Sequence, residues 1–138
     1  MRYIKLAILG CSIMGLGLNG CSSLAISPQA PAIQVYKLQQ GCPDNLIIAP
    51  GQTIQLLAED NPSTGYSWKL AAHLNHVEAT SSYKANKSEG YLVVGSGGTR
   101  QFNFKGISPG TDDIHLVYTR SWEPSQIGAQ WRCKVTVE

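Results

Sequence analysis

The sequence predicts an all-β domain, and three observations lead to this prediction. From Ile33 onward, short runs of residues alternate between apolar and polar side chains, as strands with one buried face require. Clusters rich in proline, glycine, asparagine and serine separate the runs and are typical of turns. The best candidate for a helical turn, residues 71–77, is too short to form a helix of consequence. About seven short strands within residues 33–138 indicate an immunoglobulin-like antiparallel β-sandwich.

Each predicted strand rests on its apolar positions. The strands lie at about 33–38, 52–59, 66–72, 77–83, 99–105, 112–119 and 130–137. From the second strand to the seventh, the residues that alternate onto the apolar face are Ile54, Leu56 and Ala58; Tyr66, Trp68 and Leu70; Val77, Ala79 and Ser81; Phe102 and Phe104; Ile114, Leu116 and Tyr118; and Trp131, Cys133, Val135 and Val137. The fourth strand has the weakest alternation. The phase of the others places Trp68 and Trp131 in the core.

The first 20 residues have the layout of a secretory leader. A basic start with Arg2 and Lys5 precedes an uncharged apolar stretch over residues 6–18, and Leu18-Asn19-Gly20-Cys21 closes it. The apolar stretch is shorter than the roughly 20 residues that a helix needs to span a bilayer. The closing residues resemble the lipobox of bacterial lipoproteins, in which the cysteine is acylated and becomes the N-terminus.

We therefore predict that residues 1–20 are a lipoprotein signal peptide and that Cys21 carries a lipid such as palmitate. Prolines and small polar residues make residues 21–32 typical of a tether. Ser22 rather than aspartate follows the cysteine. By resemblance to the sorting pattern of Gram-negative bacteria, this implies a lipid-anchored protein of the outer membrane that faces the periplasm. The alternative is ordinary cleavage nearby, with Cys21 an incidental thiol.

Charge and composition exclude several classes of function. The whole chain has a formal net charge of +2, but removal of residues 1–20 takes away Arg2 and Lys5 and leaves nine basic against nine acidic residues. Without a basic surplus, the chain lacks the electrostatic footprint of nucleic-acid binding. We expect no nucleic-acid partner, no cofactor, no metal site and a monomeric domain.

Two cysteines remain in the predicted domain, Cys42 and Cys133. In an oxidising compartment such an even pair indicates a disulfide, and the alternative is two free thiols or a reactive nucleophile. A disulfide between them would close a loop of roughly 90 residues and contribute about 4 kcal/mol in the chain-entropy model.

Three loops with unusual chemistry are predicted to lie at one end of the sandwich. Successive antiparallel strands run in opposite directions, so the loops after the second, fourth and sixth strands share an end. These loops are Asn61-Pro62-Ser63-Thr64-Gly65-Tyr66, Gly95-Ser96-Gly97-Gly98 and Arg120-Ser121-Trp122-Glu123-Pro124. Since loops on a rigid sandwich commonly carry binding, we predict that this end contacts a partner.

In this order and spacing, the three loops resemble those of the chagasin family of cysteine-peptidase inhibitors. The loops of that family typically read Asn-Pro-Thr-Thr-Gly-Tyr/Phe, Gly-x-Gly-Gly and Arg-Pro-Trp, and the resemblance covers residues 33–138. It implies an immunoglobulin-like sandwich, in agreement with the alternation. It also implies reversible, non-covalent inhibition of papain-type cysteine peptidases by insertion of the loops into the active-site groove. Ser63 stands where threonine is usual, and Ser121 stands where the family has proline.

The resemblance implies a peptidase-binding site and no catalytic residue. Thr64 would lie closest to the nucleophile of the peptidase, and Trp122 would stack on the leaving-group side. The glycines of the second loop would allow close approach of the backbone. The implied contact residues are Asn61, Pro62, Ser63, Thr64, Gly65, Tyr66, Gly95, Gly97, Gly98, Arg120 and Trp122.

Other interpretations stay open from the residues alone. Trp122 is either an interface residue or a core residue, and the loops are either a binding end or plain turns. An enzyme is disfavoured, because His73, His76 and His115 have no evident partners for catalysis or metal binding. Asp112 and Asp113 follow a proline–glycine turn and have the appearance of a solvated strand start. The alternative function is a lipid-anchored adhesion or envelope-assembly module that uses the same loop end.

Overall fold

Two packed β-sheets account for most of the chain that the structure describes. This computed structural model describes residues 33–88, 90–92 and 95–138, so the predicted signal peptide, the predicted lipidation site Cys21 and the predicted tether lie outside the described residues. Within them, the strands are β1 (Gln34–Lys37), β2 (Leu46–Ile48), β3 (Thr53–Asp60), β4 (Tyr66–Leu70), β5 (Val77–Ala85), β6 (Lys87–Ser88), β7 (Tyr91–Leu92), β8 (Gly98–Gly106), β9 (Gly110–Arg120) and β10 (Glu123–Val137). Short 3-10 turns lie at Leu38–Gln40 and Pro62–Thr64. No helix in the described part of the chain is long and apolar enough to cross a membrane.

The strand order confirms the predicted all-β sandwich but not its wholly antiparallel pairing. One sheet has the order β1-β3-β8-β5 and the other has the order β2-β10-β9-β4. β1 pairs parallel with β3, and β2 pairs parallel with β10, so both sheets are mixed. The antiparallel prediction is wrong at these two edges because the chain changes sheets twice in succession, from β1 to β2 and from β2 to β3. A hairpin would instead have kept neighbouring strands antiparallel.

The prediction of about seven strands missed several elements. β2 has three residues, of which Leu46 and Ile48 are buried, and is too short for a period-two pattern to be recognised. β6 and β7 form a small hairpin of their own between β5 and β8. β10 begins at Glu123 rather than at 130. The prediction missed this first part of the strand because residues 124–126 bulge out of the pairing with β9 and residues 124–130 are exposed, so no alternation marks them.

Apolar side chains from both sheets fill the space between them. Trp68 and Trp131 are buried there, as the alternation predicted. Cys133 also faces the core and forms a disulfide with Cys42, 91 positions earlier in the chain. This bond holds the segment that enters β2 against β10. The most deeply buried large side chains are Phe104, Ile48, Ile54, Leu56, Ile114, Leu116, Val135 and Val137.

Asp112 is buried and not part of a solvated strand start, which corrects the sequence-based interpretation. Its Oδ2 accepts hydrogen bonds from the backbone N–H groups of Asn75 (3.0 Å) and His76 (2.8 Å). Asp112 thereby pins the segment before β5 to the start of β9, at the end of the sandwich away from the three loops. The sequence did not reveal this contact because the two N–H groups lie 37 and 36 positions away along the chain.

Candidate functional site

The three unusual loops meet at one end of the sandwich. The first loop (residues 61–65) joins β3 to β4, the second loop (residues 95–97) precedes β8, and the third loop (residues 121–122) joins β9 to β10. The side-chain amide of Asn61 donates a hydrogen bond to the carbonyl oxygen of Gly95 (3.2 Å), which links the first loop to the second. The indole of Trp122 lies so close to Gly65 that a Cβ at Gly65 would be 2.1 Å from the ring. The three loops therefore form one continuous surface with the first loop in the middle.

The first loop is closed by its own hydrogen bonds. Pro62 starts the 3-10 turn, and its fixed φ angle suits the first position of such a turn. The Thr64 hydroxyl donates to the carbonyl oxygen of Asn61 (2.7 Å), and the Ser63 hydroxyl donates to the side-chain oxygen of Asn61 (2.5 Å). Gly65 ends the turn with a φ of 83°, a left-handed conformation that favours glycine. Pro62, Ser63 and Thr64 remain exposed, so the tip of the loop is both ordered and accessible.

Glycines let the second loop approach its neighbours closely. Gly95 and Gly97 have φ angles of 81° and 72°. A Cβ at Gly97 would lie 3.1 Å from the backbone oxygen of Asp60, and one at Gly98 would lie 2.2 Å from that of Lys84. Gly98 itself is the buried first residue of β8 and not a loop residue as predicted. Gly98 therefore brings β8 against β5, whereas Gly95 stays exposed for contact.

The third loop is a tighter turn than the sequence predicted. β9 continues to Arg120 and β10 begins at Glu123, so only Ser121 and Trp122 lie between the strands. The guanidinium carbon of Arg120 is 4.5 Å from the ring centroid of Tyr66, within the range of a favourable cation–π contact. Nη1 of Arg120 is 3.4 Å from Oε2 of Glu123. Arg120 thus ties the turn to the start of β4 and to the start of β10.

Trp122 is an exposed residue and does not belong to the core. The residue is 67% exposed even though one edge of its indole rests on Gly65. A large aromatic side chain that is held in place and yet accessible is the type of residue that dominates the energy of protein interfaces.

A row of aromatic rings, which the sequence did not reveal, supports the first and third loops. Tyr118 lies beside both Tyr66 and Trp68, with ring centroids 5.2 Å from each. Arg120 extends the row over Tyr66. The aromatic residues alternate visibly along β4 and β9, but their contact depends on the register that pairs Trp68 with Tyr118 and Tyr66 with Arg120.

Within the described residues, no three side chains of the types that bind metals lie close enough together to hold an ion. Nδ1 of His76 lies 3.1 Å from the Ser108 hydroxyl, and Nε2 of His115 lies 3.3 Å from Oε1 of Gln130. These two rings therefore make ordinary polar contacts on the sandwich, away from the three loops.

A comparison with known protein families identifies the family of this chain. The family model described as chagasin family peptidase inhibitor I42 matches residues 48–137, which include all three loops. The chain belongs to the chagasin family of peptidase inhibitors. This match confirms the resemblance seen in the loops. Members of this family are peptidase inhibitors and not enzymes, so the chain belongs to a family of inhibitors.

Individual relatives agree with membership of the chagasin family. Amoebiasin-1 from Entamoeba histolytica is 30% identical over 93 residues, which cover 67% of this chain and 89% of the relative. The crystal structure of a cysteine protease inhibitor from Entamoeba histolytica is similar with a TM-score of 0.65 at 25% identity, covering 77% of this chain and 96% of that one. The structure of PbICP-C in complex with falcipain-2 has a TM-score of 0.55 at 19% identity, covering 76% and 99%, and is similar in fold.

Proposed function

We propose that this protein is a reversible, non-covalent inhibitor of papain-type cysteine peptidases that inserts its three loops into the active-site groove. The observation that carries the proposal is the joined surface of the loops, in which Asn61 contacts the second loop and Trp122 packs on Gly65. This surface presents three loops whose relative positions are already set in the unbound protein. Its family relatives include cysteine protease inhibitors, which supports the same target class.

The geometry of the first loop suits an inhibitor that resists cleavage. A papain-type site presents a cysteine thiolate activated by a neighbouring histidine, and it attacks a peptide carbonyl only in a suitable alignment. In the first loop, the carbonyl oxygen of Asn61 already accepts bonds from the Thr64 hydroxyl and the Thr64 N–H (3.1 Å). The chain from Pro62 to Thr64 is a tight 3-10 turn rather than an extended strand. Thr64 can therefore fill the space near the nucleophile without offering an extended peptide for attack.

The second and third loops extend the contact to either side of the first. Gly95 exposes backbone with no side chain to keep a partner at a distance. Trp122 offers the large aromatic surface on the other side. We assign the second loop to the substrate-binding side of the groove and Trp122 to the leaving-group side.

Ser121 replaces the usual proline, and other contacts of the third loop compensate for it. Proline lowers the entropy that a loop loses on binding, because it restricts the unbound backbone. Here the turn has only two residues between paired strands, and Arg120 holds it through Tyr66 and Glu123. The third loop is thus preorganised by side-chain contacts in place of proline.

A titration of residues 22–138 against papain and one cathepsin, with a peptide substrate, tests the proposal. We expect saturable inhibition at one-to-one stoichiometry with the inhibitor left uncut. Absence of inhibition at micromolar concentration, from protein shown to be folded, would reject the proposal for these enzymes. Adhesion or envelope assembly through the same loop end would then become the leading function.

The same titration with the variant Trp122→Ala tests whether Trp122 belongs to the peptidase-binding surface. Because an exposed aromatic anchor commonly contributes about 2 kcal/mol or more, we expect the inhibition constant to rise by about 30-fold. Ile107→Ala is the matched control, since Ile107 is also an exposed large apolar residue but lies in the turn between β8 and β9 at the opposite end. Equal inhibition constants for the two variants would remove Trp122 from the binding surface.

We also propose that the protein is anchored to the bacterial outer membrane, facing the periplasm, through a lipid on Cys21. Parallel pairing with β3 means that β1 starts at the end of the sandwich away from the three loops, which supports this arrangement. A tether entering at Gln34 would leave the loops pointing away from the membrane. The test is Cys21→Ala, which should release the protein from the membrane fraction. A processed Cys21→Ala protein that still fractionates with membranes would refute the anchor.

A further inference from the structure

A buried ion pair lies directly beneath the first and second loops. Asp60, the last residue of β3, has a fully buried side chain, and its Oδ2 accepts a hydrogen bond from Nε of Arg100 on β8. The guanidinium carbon of Arg100 lies 5.4 Å from the ring centroid of Tyr83 on β5. The three side chains therefore connect three neighbouring strands of one sheet.

The same three residues lie at the bases of the two loops. Asp60 immediately precedes Asn61, and its backbone oxygen is what a Cβ at Gly97 would approach to 3.1 Å. In the sheet, Asp60 pairs with Gly98, which leads out of the second loop. The hydroxyl of Tyr83 would lie 2.8 Å from a Cβ at Gly98. The ion pair and Tyr83 are thus in direct contact with the backbone at the base of both loops.

Packing alone does not determine where these two loops lie. A cleft of about 620 Å³ opens between the sheets below them and is lined in part by Asp60, Trp68 and Gly97. Close-packed side chains hold neighbouring segments in place, but an open cleft leaves them free to settle. The directional bond between Asp60 and Arg100 adds a constraint on the loops to those of the Asn61–Gly95 hydrogen bond and the pairing of β3 with β8.

The chemistry of the pair is poorly suited to a purely stabilising role. Replacing a buried ion pair by apolar residues is often neutral or stabilising, because desolvation offsets the attraction. Oδ1 of Asp60 has no hydrogen-bond partner among the described residues, which adds a further penalty. What a buried arginine–carboxylate pair does provide is a defined direction, since the guanidinium is planar and its donors are rigid.

We propose that the Asp60–Arg100 ion pair, with Tyr83 against the guanidinium, positions the first and second loops relative to one another and so slows dissociation of the peptidase complex. The effect on dissociation rests on the proposed inhibitory function. The positioning of the loops in the free protein does not depend on it. Asp60, Arg100 and Tyr83 are positioning residues, which act through the loops and need not touch the peptidase.

The first test compares two buried carboxylates at opposite ends of the sandwich. Asp60→Asn keeps the shape of the side chain but removes its charge, and we expect the dissociation rate constant of the peptidase complex to rise by about 10-fold. Asp112→Asn is the matched control, because Asp112 is also buried but binds backbone N–H groups far from the loops. It should lower the midpoint of urea unfolding without changing the dissociation rate. Similar dissociation rates for the two variants would overturn the proposal.

A double-mutant cycle adds a measurement that a merely structural role would not affect. In a positioning pair, Asp60→Asn and Arg100→Gln disturb the same contact, so the double variant should dissociate no faster than the worse single variant. Independent effects that multiply would contradict the proposal. Tyr83→Leu removes only a partly exposed ring and replaces the cycle as the test if Asp60→Asn or Arg100→Gln fails to fold. We expect Tyr83→Leu to raise the dissociation rate constant by about 3-fold.

Amide hydrogen exchange in the free protein separates this inference from the inhibitory function. The N–H of Thr64 bonds to Asn61 and that of Asn86 bonds to Gly97, so both report on closed loops. In Asp60→Asn we expect both amides to exchange at least several-fold faster, with His76 unchanged, because loss of positioning loosens only the loop end. Unchanged exchange at Thr64 and Asn86 would reject the positioning role whether or not the protein inhibits any peptidase.

Discussion

Gly65→Ala is expected to weaken peptidase inhibition by about 100-fold, which corresponds to about 3 kcal/mol. The φ of Gly65 is 83°, where alanine is disfavoured by about 1 kcal/mol or more. A Cβ at this position would also lie 2.1 Å from the Trp122 ring, so the indole must leave its place. Relief of the strain rearranges the first loop, and binding must restore the original loop, so the strain at this position counts against inhibition. Loss of the placed aromatic anchor in the third loop contributes about 2 kcal/mol more. The measurement is the inhibition constant against papain.

Gly51→Ala is the matched control for this prediction. Gly51 has nearly the same φ, 84°, but a Cβ there would have nothing within 4 Å. It lies just before β3, at the end of the sandwich away from the loops. Both variants should lose stability through backbone strain, whereas only Gly65→Ala should lose inhibition. If Gly51→Ala inhibits as poorly as Gly65→Ala, the effect is one of general stability and the interloop contact is unimportant.

Removal of the disulfide is expected to lower the free energy of unfolding by about 4 kcal/mol in the chain-entropy model. The bond joins positions 91 residues apart, so it restricts most of the domain in the unfolded state. It also holds the entry to the three-residue β2, which lies at the edge of its sheet and pairs with β10 alone. The measurement is urea unfolding of the double variant Cys42→Ala/Cys133→Ala.

Reduced wild-type protein is the control for this prediction, because it lacks the bond but keeps the side chains of Cys42 and Cys133. Its unfolding midpoint should fall close to that of the double variant, while inhibition by folded protein at 25 °C should be retained, since neither cysteine belongs to the three loops. Oxidised and reduced wild-type protein with the same midpoint would mean that the disulfide contributes nothing to stability.

The sequence predicted those parts of the site that depend on local chemistry. Pro62 and Gly65 are local turn signals, and the structure has a tight turn at Pro62–Thr64 that ends at Gly65. The alternation along β4 and β10 placed Trp68 and Trp131 in the core, because a strand repeats its environment every two residues. The position of Trp122 beyond that alternation allowed either a core or an interface role, and its exposure excludes the core role.

Other features escaped the sequence because they depend on partners that are remote along the chain. Asp60 continues the inward phase of Ile54, Leu56 and Ala58, so an acid in the core was a signal that could have been noticed. Its partner Arg100, 40 positions away, has no such signal. Arg120 was expected in a loop, and only the pairing of β9 with β4 shows why it lies over Tyr66.

By itself, the sequence determined the all-β class, the core face of most of the long strands and the motifs at which the three loops lie. These properties follow from side-chain period and turn chemistry, which act over a few neighbouring residues. Only the tertiary structure decided the parallel edge strands, the burial of Asp112, the contact of Trp122 with Gly65 and the ion pair beneath the loops. Each of these depends on strand register and on the packing of one sheet against the other, and both are set by contacts between residues far apart in the chain.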